Sequence, residues 1–163
     1  AYLHDMALCQ QYAALNRSVM GEVITDYLGR SGKSFQTIHN FIHPDDNIIR
    51  KGAVSARKGE RLIIPMNMRE GSILAVGKGN PDWNWSAPHG AGRLMSRSAA
   101  KASIALEDYE NAMKGIYSTT VCRSTLDEAP FAYKPIEEII ENIQETVSIE
   151  AIIHPLYNFK ATQ

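Results

Sequence analysis

The chain has 163 residues, the length of one ordinary domain, and 44% of them are hydrophobic, so a globally disordered protein is excluded. Seventeen Lys and Arg against eighteen Asp and Glu leave a net charge of −1. A nearly neutral chain is not a typical polyanion binder, so only local basic clusters can argue for nucleic acid. We predict a single domain over residues 1–163.

The sequence also favours a cytoplasmic protein. Its apolar runs are short, and none approaches the ~20 residues that cross a bilayer, so we expect no membrane contact. It begins at Ala1 in helix-like sequence, without the charged and apolar leader of a secreted protein. Cys9 and Cys122 lie far apart in apolar contexts, which predicts buried thiols in a reducing compartment rather than a disulfide.

Three segments have the helical spacing of apolar residues. The first covers residues 2–28 and is followed by Gly29, a residue typical of helix ends. The second starts at Ser96 or Ser98, either of which can cap it, and runs to about Lys114. The third starts at Pro135 as its first helical residue. Its β-branched residues predict one buried face: Ile136, Ile139, Ile140, Ile143 and Val147.

Strands are predicted where β-branched and aromatic residues lie between turn signals, at residues 34–38, 48–57, 62–64 and 72–76. Further β segments are predicted at 119–122 and, broken by Pro155, at 149–160. The glycine-rich segment 77–92 predicts a loop that leads into the second helix. The elements predict an α+β fold, in which a central, mostly antiparallel or mixed sheet is flanked by a long N-terminal helix and two further helices.

The most informative segment runs from Pro88 to Arg97 and reads Pro-His-Gly-Ala-Gly-Arg-Leu-Met-Ser-Arg. His89 is a potential nucleophile, and the small residues 90–92 let backbone amides approach an anion closely. Arg93 and Arg97 are four apart, so in a helix they share one face and can hold a phosphate together. The segment therefore favours a phosphate site, although a tight turn with a surface histidine has the same pattern.

Two further histidines could bind a metal. His39 follows a predicted strand, but a metal needs three or four donors, and His39-Asn40 offers at most two. His43 with Asp45 and Asp46 is a rival site, and the same residues are also typical of an exposed turn. A small metal-dependent phosphohydrolase that uses His39, His43 and Asp45 therefore stays open as an alternative.

A local basic cluster follows the second of these histidines: Arg50, Lys51, Arg57 and Lys58. It is either a groove for a polyanion or a solvated edge strand that uses its charges against aggregation. Trp83 and Trp85 precede the glycine-rich motif and could stack on a base or cover the core.

Read in order, these blocks resemble the C-terminal portion of the RtcB family of RNA ligases, which join a 3′-phosphate or 2′,3′-cyclic phosphate end of RNA to a 5′-hydroxyl end. The matching blocks are His39-Asn40, Arg50-Lys51-Gly52-Ala53, Ile64-Pro65, Gly77-Lys78-Gly79-Asn80, His89-Gly90-Ala91-Gly92-Arg93 with Ser96-Arg97, Glu128-Ala129-Pro130 with Ala132-Tyr133-Lys134, and Lys160. Several ordered blocks are far harder to obtain by chance than one motif. The resemblance covers nearly the whole chain.

The resemblance implies a GTP-dependent reaction. In such ligases GTP guanylylates a histidine with manganese assistance, the guanylate moves to the RNA 3′-phosphate, and the 5′-hydroxyl then displaces it. His89 matches the guanylylated histidine, and His39 matches a manganese ligand. Gly90, Ala91 and Gly92 match the backbone that holds the ribose and phosphate.

Other matched residues contact the nucleotide or the RNA. Asn40 matches a nucleotide contact, Lys160 matches a lysine that contacts the base, and Arg93 and Arg97 match residues that bind RNA or sulfate. A further set matches the loop that grips the guanine: Pro65, Met66, Asn67, Met68 and Ser72. Asn67 stands where the family usually has a serine that meets the guanine.

The resemblance also implies that part of the site lies elsewhere. An aspartate, a cysteine and two further histidines that bind manganese come from an N-terminal portion that this chain lacks. We therefore expect the chain to be inactive alone and to bind manganese poorly through His39. We expect that missing portion, GTP and RNA to be its partners, and the surface left uncovered to promote self-association. The alternative is a noncatalytic or diverged module that binds nucleotide or RNA.

Overall fold

The computed structural model describes residues 2–43 and 47–160. The helices are α1 (Tyr2–Tyr27), α2 (Arg97–Ser103), α3 (Leu106–Ala112) and α4 (Ile136–Ile143). The strands are β1 (His39–Ile42), β2 (Ile49–Ser55), β3 (Arg61–Pro65), β4 (Ser72–Gly77), β5 (Ser86–Pro88), β6 (Tyr117–Ser118), β7 (Val147–Ile153) and β8 (Tyr157–Asn158). Short 3-10 helices lie at Pro81–Trp83, Arg123–Glu128 and Pro130–Ala132. None of the helices described has the length and apolar content to cross a membrane.

Most of the strands form two three-stranded antiparallel sheets. β1, β2 and β5 pair in the order β1-β2-β5, and β3, β4 and β7 pair in the order β3-β4-β7. β6 and β8 form a short parallel pair. Helices with largely antiparallel sheets confirm the predicted α+β fold, but the strands are divided between two sheets rather than gathered in one.

One hydrophobic cluster joins the two sheets to α4. Val54 of β2, Ile64 of β3 and Ile73 of β4 are almost fully buried in it. Ile139 and Ile143 of α4 pack against the same cluster, and their spacing of four puts them on one helical face. The isoleucine-rich face predicted from the sequence is therefore confirmed.

A second cluster lies beside the first and shares one loop with it. Met68 and Leu126 surround the fully buried Tyr109 of α3 in this second cluster. Met66 belongs to the first cluster, so the loop of residues 66–71 sends a buried side chain into each core. Burial on both sides fixes the course of this loop, which the sequence places in neither a helix nor a strand.

The first strand begins later than predicted. Residues 34–38 form no strand. The Oγ1 atom of Thr37 accepts a hydrogen bond from the backbone amide of Ile63 at 3.1 Å, so a side chain, not a strand ladder, holds this segment against β3. Ladder pairing with β2 starts only at His39.

The predicted strand at 119–122 is also wrong. β6 ends at Ser118, and Cys122 precedes the 3-10 helix Arg123–Glu128. The hydroxyl of Thr125 explains the turn, because it donates to the carbonyl oxygens of Thr120 and Cys122 and so bends the chain.

The predicted second helix is two helices, α2 and α3. Ile104 and Ala105 separate them with extended backbone, and Ile104 packs against the second cluster, which explains the break. Of the two predicted caps, Ser96 caps α2, because its Oγ accepts from the amide of Ala99 at 3.1 Å. Pro135 is the N-cap of α4 rather than its first helical residue, and the predicted Val147 begins β7.

α1 has almost its predicted length but little contact with the core. None of its described residues is buried, and Leu8 and Leu15 are 53% and 65% exposed. Gln36 ties the helix to the chain by donating to a backbone carbonyl of α1 at 3.3 Å. Cys9 is exposed because it lies on this helix, so its predicted burial is wrong; Cys122 is half-buried, and both thiols are free.

Candidate active site

His39 and His89 meet on the first sheet. His39 begins β1 and His89 directly follows β5, and both strands pair with β2, where Val54 aligns with His39 and with Ala87. The two imidazole rings stack with their centroids 5.0 Å apart and an angle of 21° between their planes. Both residues are exposed, so a ligand can reach either ring.

Gly52 of β2 lies against the His89 ring. Its φ of +72° is in the left-handed region that favours glycine, and a Cβ there would lie 3.8 Å from both Nδ1 and Cε1 of His89. Asn40 accepts a hydrogen bond at Oδ1 from the amide of Gly52 at 2.9 Å. Asn40, predicted to contact the nucleotide, therefore uses its side-chain oxygen to hold the strand beside His89.

A cavity of about 580 Å³ opens at the two histidines, a size typical of small-molecule sites. Its wall includes these predicted site residues: His39, Pro65, Met66, residues 89–93, Arg97 and Lys160. Thr37 and Tyr133 also line it, and the sequence singles out neither as a site residue. We call this space the histidine cavity.

A smaller cavity of about 240 Å³ adjoins the histidine cavity and shares Pro65, Met66 and Lys160 with it. Its wall also contains Asn67, Met68 and Ser72, so the residues predicted to grip a guanine lie together. We call this space the side cavity. Lys160 lies where the two cavities meet.

Asn67 uses its side chain within its own loop. Its Oδ1 accepts from the amides of Arg69 at 3.0 Å and Glu70 at 2.9 Å, and its Nδ2 donates to the Glu70 carboxylate at 2.7 Å. These bonds shape the loop of residues 66–71. Asn67 therefore contributes to the side cavity through the loop conformation rather than through a free amide.

The small residues after His89 leave two backbone donors available. The amide of Ala91 donates to the Pro65 carbonyl at 3.0 Å. Within the part of the chain that the structure describes, the amides of Gly90 and Gly92 donate to no protein acceptor, and both residues line the histidine cavity. Two N–H donors beside a histidine make a site suited to a phosphate.

The two arginines share the cavity but not a helical face, so that prediction is wrong. α2 begins only at Arg97, whereas Arg93 lies in a bridge with Tyr133. The Arg93 guanidinium donates to the Tyr133 hydroxyl at 2.9 Å and to the carbonyls of Met95 and Asp127. The Arg97 guanidinium pairs with Asp127 at 2.7 Å and with Glu128 at 2.9 Å, but its side chain is 63% exposed, so it is the more accessible of the two to an anion.

The predicted basic cluster is divided by burial. Arg50 is only 2% exposed and donates to the Ser86 hydroxyl at 2.9 Å and to the carbonyls of Asn84 and Trp85. It therefore ties the chain ahead of β5 to β2 and does not form an exposed polyanion groove. Trp85 lies under the Arg57 guanidinium, 5.5 Å from Cζ to the ring centroid, whereas Trp83 is about half exposed.

The family model for tRNA-splicing ligase RtcB matches residues 1–161. The chain belongs to the RtcB family. It is 34% identical over 169 residues to the RNA-splicing ligase RtcB of Escherichia coli K12, covering 91% of this chain and 40% of that protein. It is 31% identical over 173 residues to RtcB of Mycobacterium tuberculosis H37Rv, with coverage of 86% and 40%. It is 40% identical over 88 residues to the tRNA-splicing ligase RtcB of Aeropyrum pernix, covering 51% of this chain and 18% of that protein. The chain therefore spans about two fifths of the length of the bacterial RtcB relatives.

Resemblance to RtcB implies manganese, so the donors near His39 matter. Among residues 2–43 and 47–160, no three His, Cys, Asp or Glu side chains form a group that could hold a metal. The described wall of the histidine cavity contains imidazoles but no carboxylate or thiolate. These residues do not make a manganese site by themselves, although His39 can supply one ligand of several.

The rival site at His43 falls partly outside the described residues, because Asp45 and Asp46 are not among them. His43 lines a separate cavity of about 250 Å³ together with Phe41. His39 lies in the wall of the histidine cavity instead, so the geometry does not favour a phosphohydrolase site that combines the two histidines.

The carboxylates of Asp127 and Glu128 lie behind the wall of the histidine cavity, where both pair with Arg97. Burial alone would raise the pKa values of Asp127 and Glu128, but hydrogen bonds from Arg97 to Asp127 and from Tyr133 and Lys160 to Glu128 outweigh it. Both carboxyl pKa values therefore lie below their ordinary values. Burial and the bond to Glu128 raise the pKa of Tyr133 to about 12, so its hydroxyl stays protonated and can donate at neutral pH.

Acid should destabilise the fold through these carboxylates. The unfolded carboxyls have the higher pKa, so the unfolded state takes up more protons once the pH falls below about 4.5. The stability that Asp127 and Glu128 contribute is present above that pH and is lost as the pH falls through their folded pKa values. We expect the urea midpoint to drop more steeply from about pH 5 to about pH 3 for the wild type than for an Asp127→Asn, Glu128→Gln double variant. Equal slopes would contradict this prediction.

Proposed function

We propose that this chain is the C-terminal part of an RNA ligase that joins a 3′-phosphate or 2′,3′-cyclic phosphate end to a 5′-hydroxyl end through a GMP-histidine intermediate on His89. One observation carries the proposal: an exposed His89 ring, stacked on His39, borders a cavity lined by Arg97 and by Gly90 and Gly92, whose amides donate to no acceptor among the described residues. A nucleophile, anion donors and a nucleotide-sized space are thus in one place. RtcB relatives named as RNA-splicing and tRNA-splicing ligases support the same reading.

The proposed first step needs a neutral imidazole. A ring nitrogen of His89 attacks the α-phosphorus of GTP, a nitrogen–phosphorus bond forms, and the bond to the bridging oxygen breaks so that pyrophosphate leaves. Negative charge on the phosphoryl oxygens would be met by the amides of Gly90 and Gly92 and by Arg97. A 2′,3′-cyclic phosphate end would first be opened by water to a 3′-phosphate. The guanylate would then move from His89 to the RNA 3′-phosphate, and the 5′-hydroxyl would displace GMP to form the new phosphodiester bond.

The side cavity is the proposed guanine site. It adjoins the histidine cavity through Pro65, Met66 and Lys160, so a nucleotide with its phosphate at His89 can place its base there. Met66 and Met68 line it, although their side chains are largely buried in the two hydrophobic clusters, and Ser72 and Lys160 offer polar groups. Arg93 would shape the wall through its bond to Tyr133, while the more exposed Arg97 would meet the RNA phosphate.

Manganese and the rest of the protein complete the proposal. When bound, manganese would supply a Lewis acid for phosphoryl transfer, with His39 as one ligand and the others in the N-terminal portion. The length of the RtcB relatives supports the existence of that portion. We call this chain together with that portion the full-length polypeptide. We propose a cytoplasmic enzyme of RNA processing, in tRNA splicing or RNA repair.

A ligation assay on the full-length polypeptide tests the proposal. We expect joined product from RNA with a 2′,3′-cyclic phosphate or 3′-phosphate end and a 5′-hydroxyl end when GTP and manganese are present. We expect none when ATP replaces GTP, or when the ends are 3′-hydroxyl and 5′-phosphate. Nucleotide or RNA binding without joined product would instead favour the noncatalytic module.

A further inference from the structure

Glu128 lies behind the wall of the histidine cavity and contacts several of the groups that form it. Its Oε2 accepts from the Tyr133 hydroxyl at 2.9 Å and lies 3.2 Å from Nζ of Lys160. Its Oε1 lies 2.9 Å from Nη1 of Arg97 and 3.9 Å from Nη1 of Arg93. The Glu128 side chain is 15% exposed, so these charged contacts are partly shielded from water.

Lys160 is held at its backbone and at its side-chain end. Its side chain is a flexible four-carbon stem, 38% exposed, at the junction of the histidine cavity and the side cavity. Its backbone is held separately, because its amide donates to Oγ1 of Thr120 at 3.1 Å. The backbone bond fixes where the stem begins, and the Glu128 ion pair fixes where the ammonium ends.

We propose that Glu128 is a positioning residue that sets the nucleobase preference of this site by holding the Lys160 ammonium at the junction. The inference rests on the proposed function, in which a guanine occupies the side cavity. An ammonium only donates hydrogen bonds, so at a fixed position it favours a base edge with an acceptor, such as the guanine carbonyl, over one with the adenine amino group. An ammonium released from Glu128 would turn toward the triphosphate, which GTP and ATP share.

The preference between GTP and ATP separates the effect of the Lys160 ammonium position from the effect of the overall charge of the cavity. Removing the Glu128 charge makes the cavity more positive and strengthens the binding of any triphosphate. GTP and ATP carry the same phosphates, so that gain cancels in the ratio of their dissociation constants. A change in the ratio therefore reports on the base and not on the phosphates.

The experiment measures the ratio of the ATP and GTP dissociation constants for the full-length polypeptide by titration calorimetry. We expect Glu128→Gln to lower this ratio about fivefold or more, as for one lost charge-assisted hydrogen bond. Asp127→Asn is the matched control, because Asp127 pairs with Arg97 at 2.7 Å and with Lys101 at 3.5 Å. That variant should keep the wild-type ratio.

A double-mutant cycle separates positioning from a general loss of structure. Lys160→Met should lower the ratio by itself, and adding Glu128→Gln to Lys160→Met should lower it no further. An equal additional fall would overturn the proposal, because Glu128 would then act without Lys160. If Glu128→Gln does not fold, Glu128→Asp draws the carboxylate back by one methylene and must lower the ratio in the same way.

Failure of this inference is distinct from failure of the proposed function. A wild-type protein that binds neither nucleotide, or does not prefer GTP, contradicts the proposed function. A wild-type protein that prefers GTP, together with a Glu128→Gln protein that keeps the full preference, overturns the positioning role alone.

Discussion

Replacing His89 with alanine is expected to abolish attachment of guanylate to the full-length polypeptide, with a fall of at least about 1,000-fold in labelled protein. In the described part of the histidine cavity, the other imidazole is His39, whose ring stacks on His89 at 5.0 Å. An alanine removes the attacking nitrogen and leaves the free amides and Arg97 in place. GTP should therefore still bind to His89→Ala, while transfer of the nucleotide to protein stops.

The measurement is retention of α-labelled GMP on the protein after incubation with α-labelled GTP and manganese. A nitrogen–phosphorus bond is labile to acid, so the wild-type label should be released by mild acid treatment. His4→Ala is a suitable control, because His4 is an exposed histidine of α1. Label that persists on His89→Ala, or that disappears from His4→Ala as well, would contradict assignment of the nucleophile to position 89.

The sequence singles out candidate residues of this site but not their arrangement. The glycine-flanked His89 is visible in the sequence because small residues and a nucleophile are adjacent. Its contact with His39 is not visible, because it depends on the register in which Val54 of β2 aligns with both neighbouring strands. β5 is not predicted either, since three residues ending in Pro88 lie within a glycine-rich segment.

Side-chain hydrogen bonds account for further differences between prediction and structure. Asn40 and Asn67 have the polar amides expected of nucleotide contacts, yet both bond to nearby backbone. Arg50 has the charge expected of a polyanion site but is buried against carbonyl oxygens. Residue type indicates which bonds a side chain can make, and only tertiary packing decides which partner it meets.

The helices show the same division between local and long-range information. Gly29 after α1 and Ser96 before α2 act within one turn of chain, so their positions are correctly predicted. Ile104 breaks the predicted second helix because it packs against a distant cluster, and no local signal marks that break.

Gly71, in the loop between the two clusters, should tolerate an added methyl group poorly. Gly71 closes the loop of residues 66–71, since its carbonyl accepts from the amide of Met66 at 2.8 Å and its amide donates to the Asn67 carbonyl at 3.1 Å. Its φ of +85° is in the left-handed region, and a Cβ there would overlap the carbonyl oxygen of Ile153 and lie 3.0 Å from its carbon. Both atoms belong to β7 backbone, which cannot move aside as a flexible side chain can.

We therefore expect Gly71→Ala to lower the free energy of unfolding by about 3 kcal/mol or more, the range of large backbone and packing defects. Gly59→Ala is the matched control: Gly59 has a φ of +81°, but a Cβ there would have no atom within 4 Å. Gly59→Ala has the backbone strain without the overlap, so it should lower the free energy of unfolding by only about 1 kcal/mol. Urea unfolding of the two variants measures the difference. Equal losses of stability in the two variants would contradict this prediction, because they would show that Ile153 yields to the added methyl group. Gly71 also lines the side cavity, so a folded Gly71→Ala protein should bind GTP more weakly than the wild type.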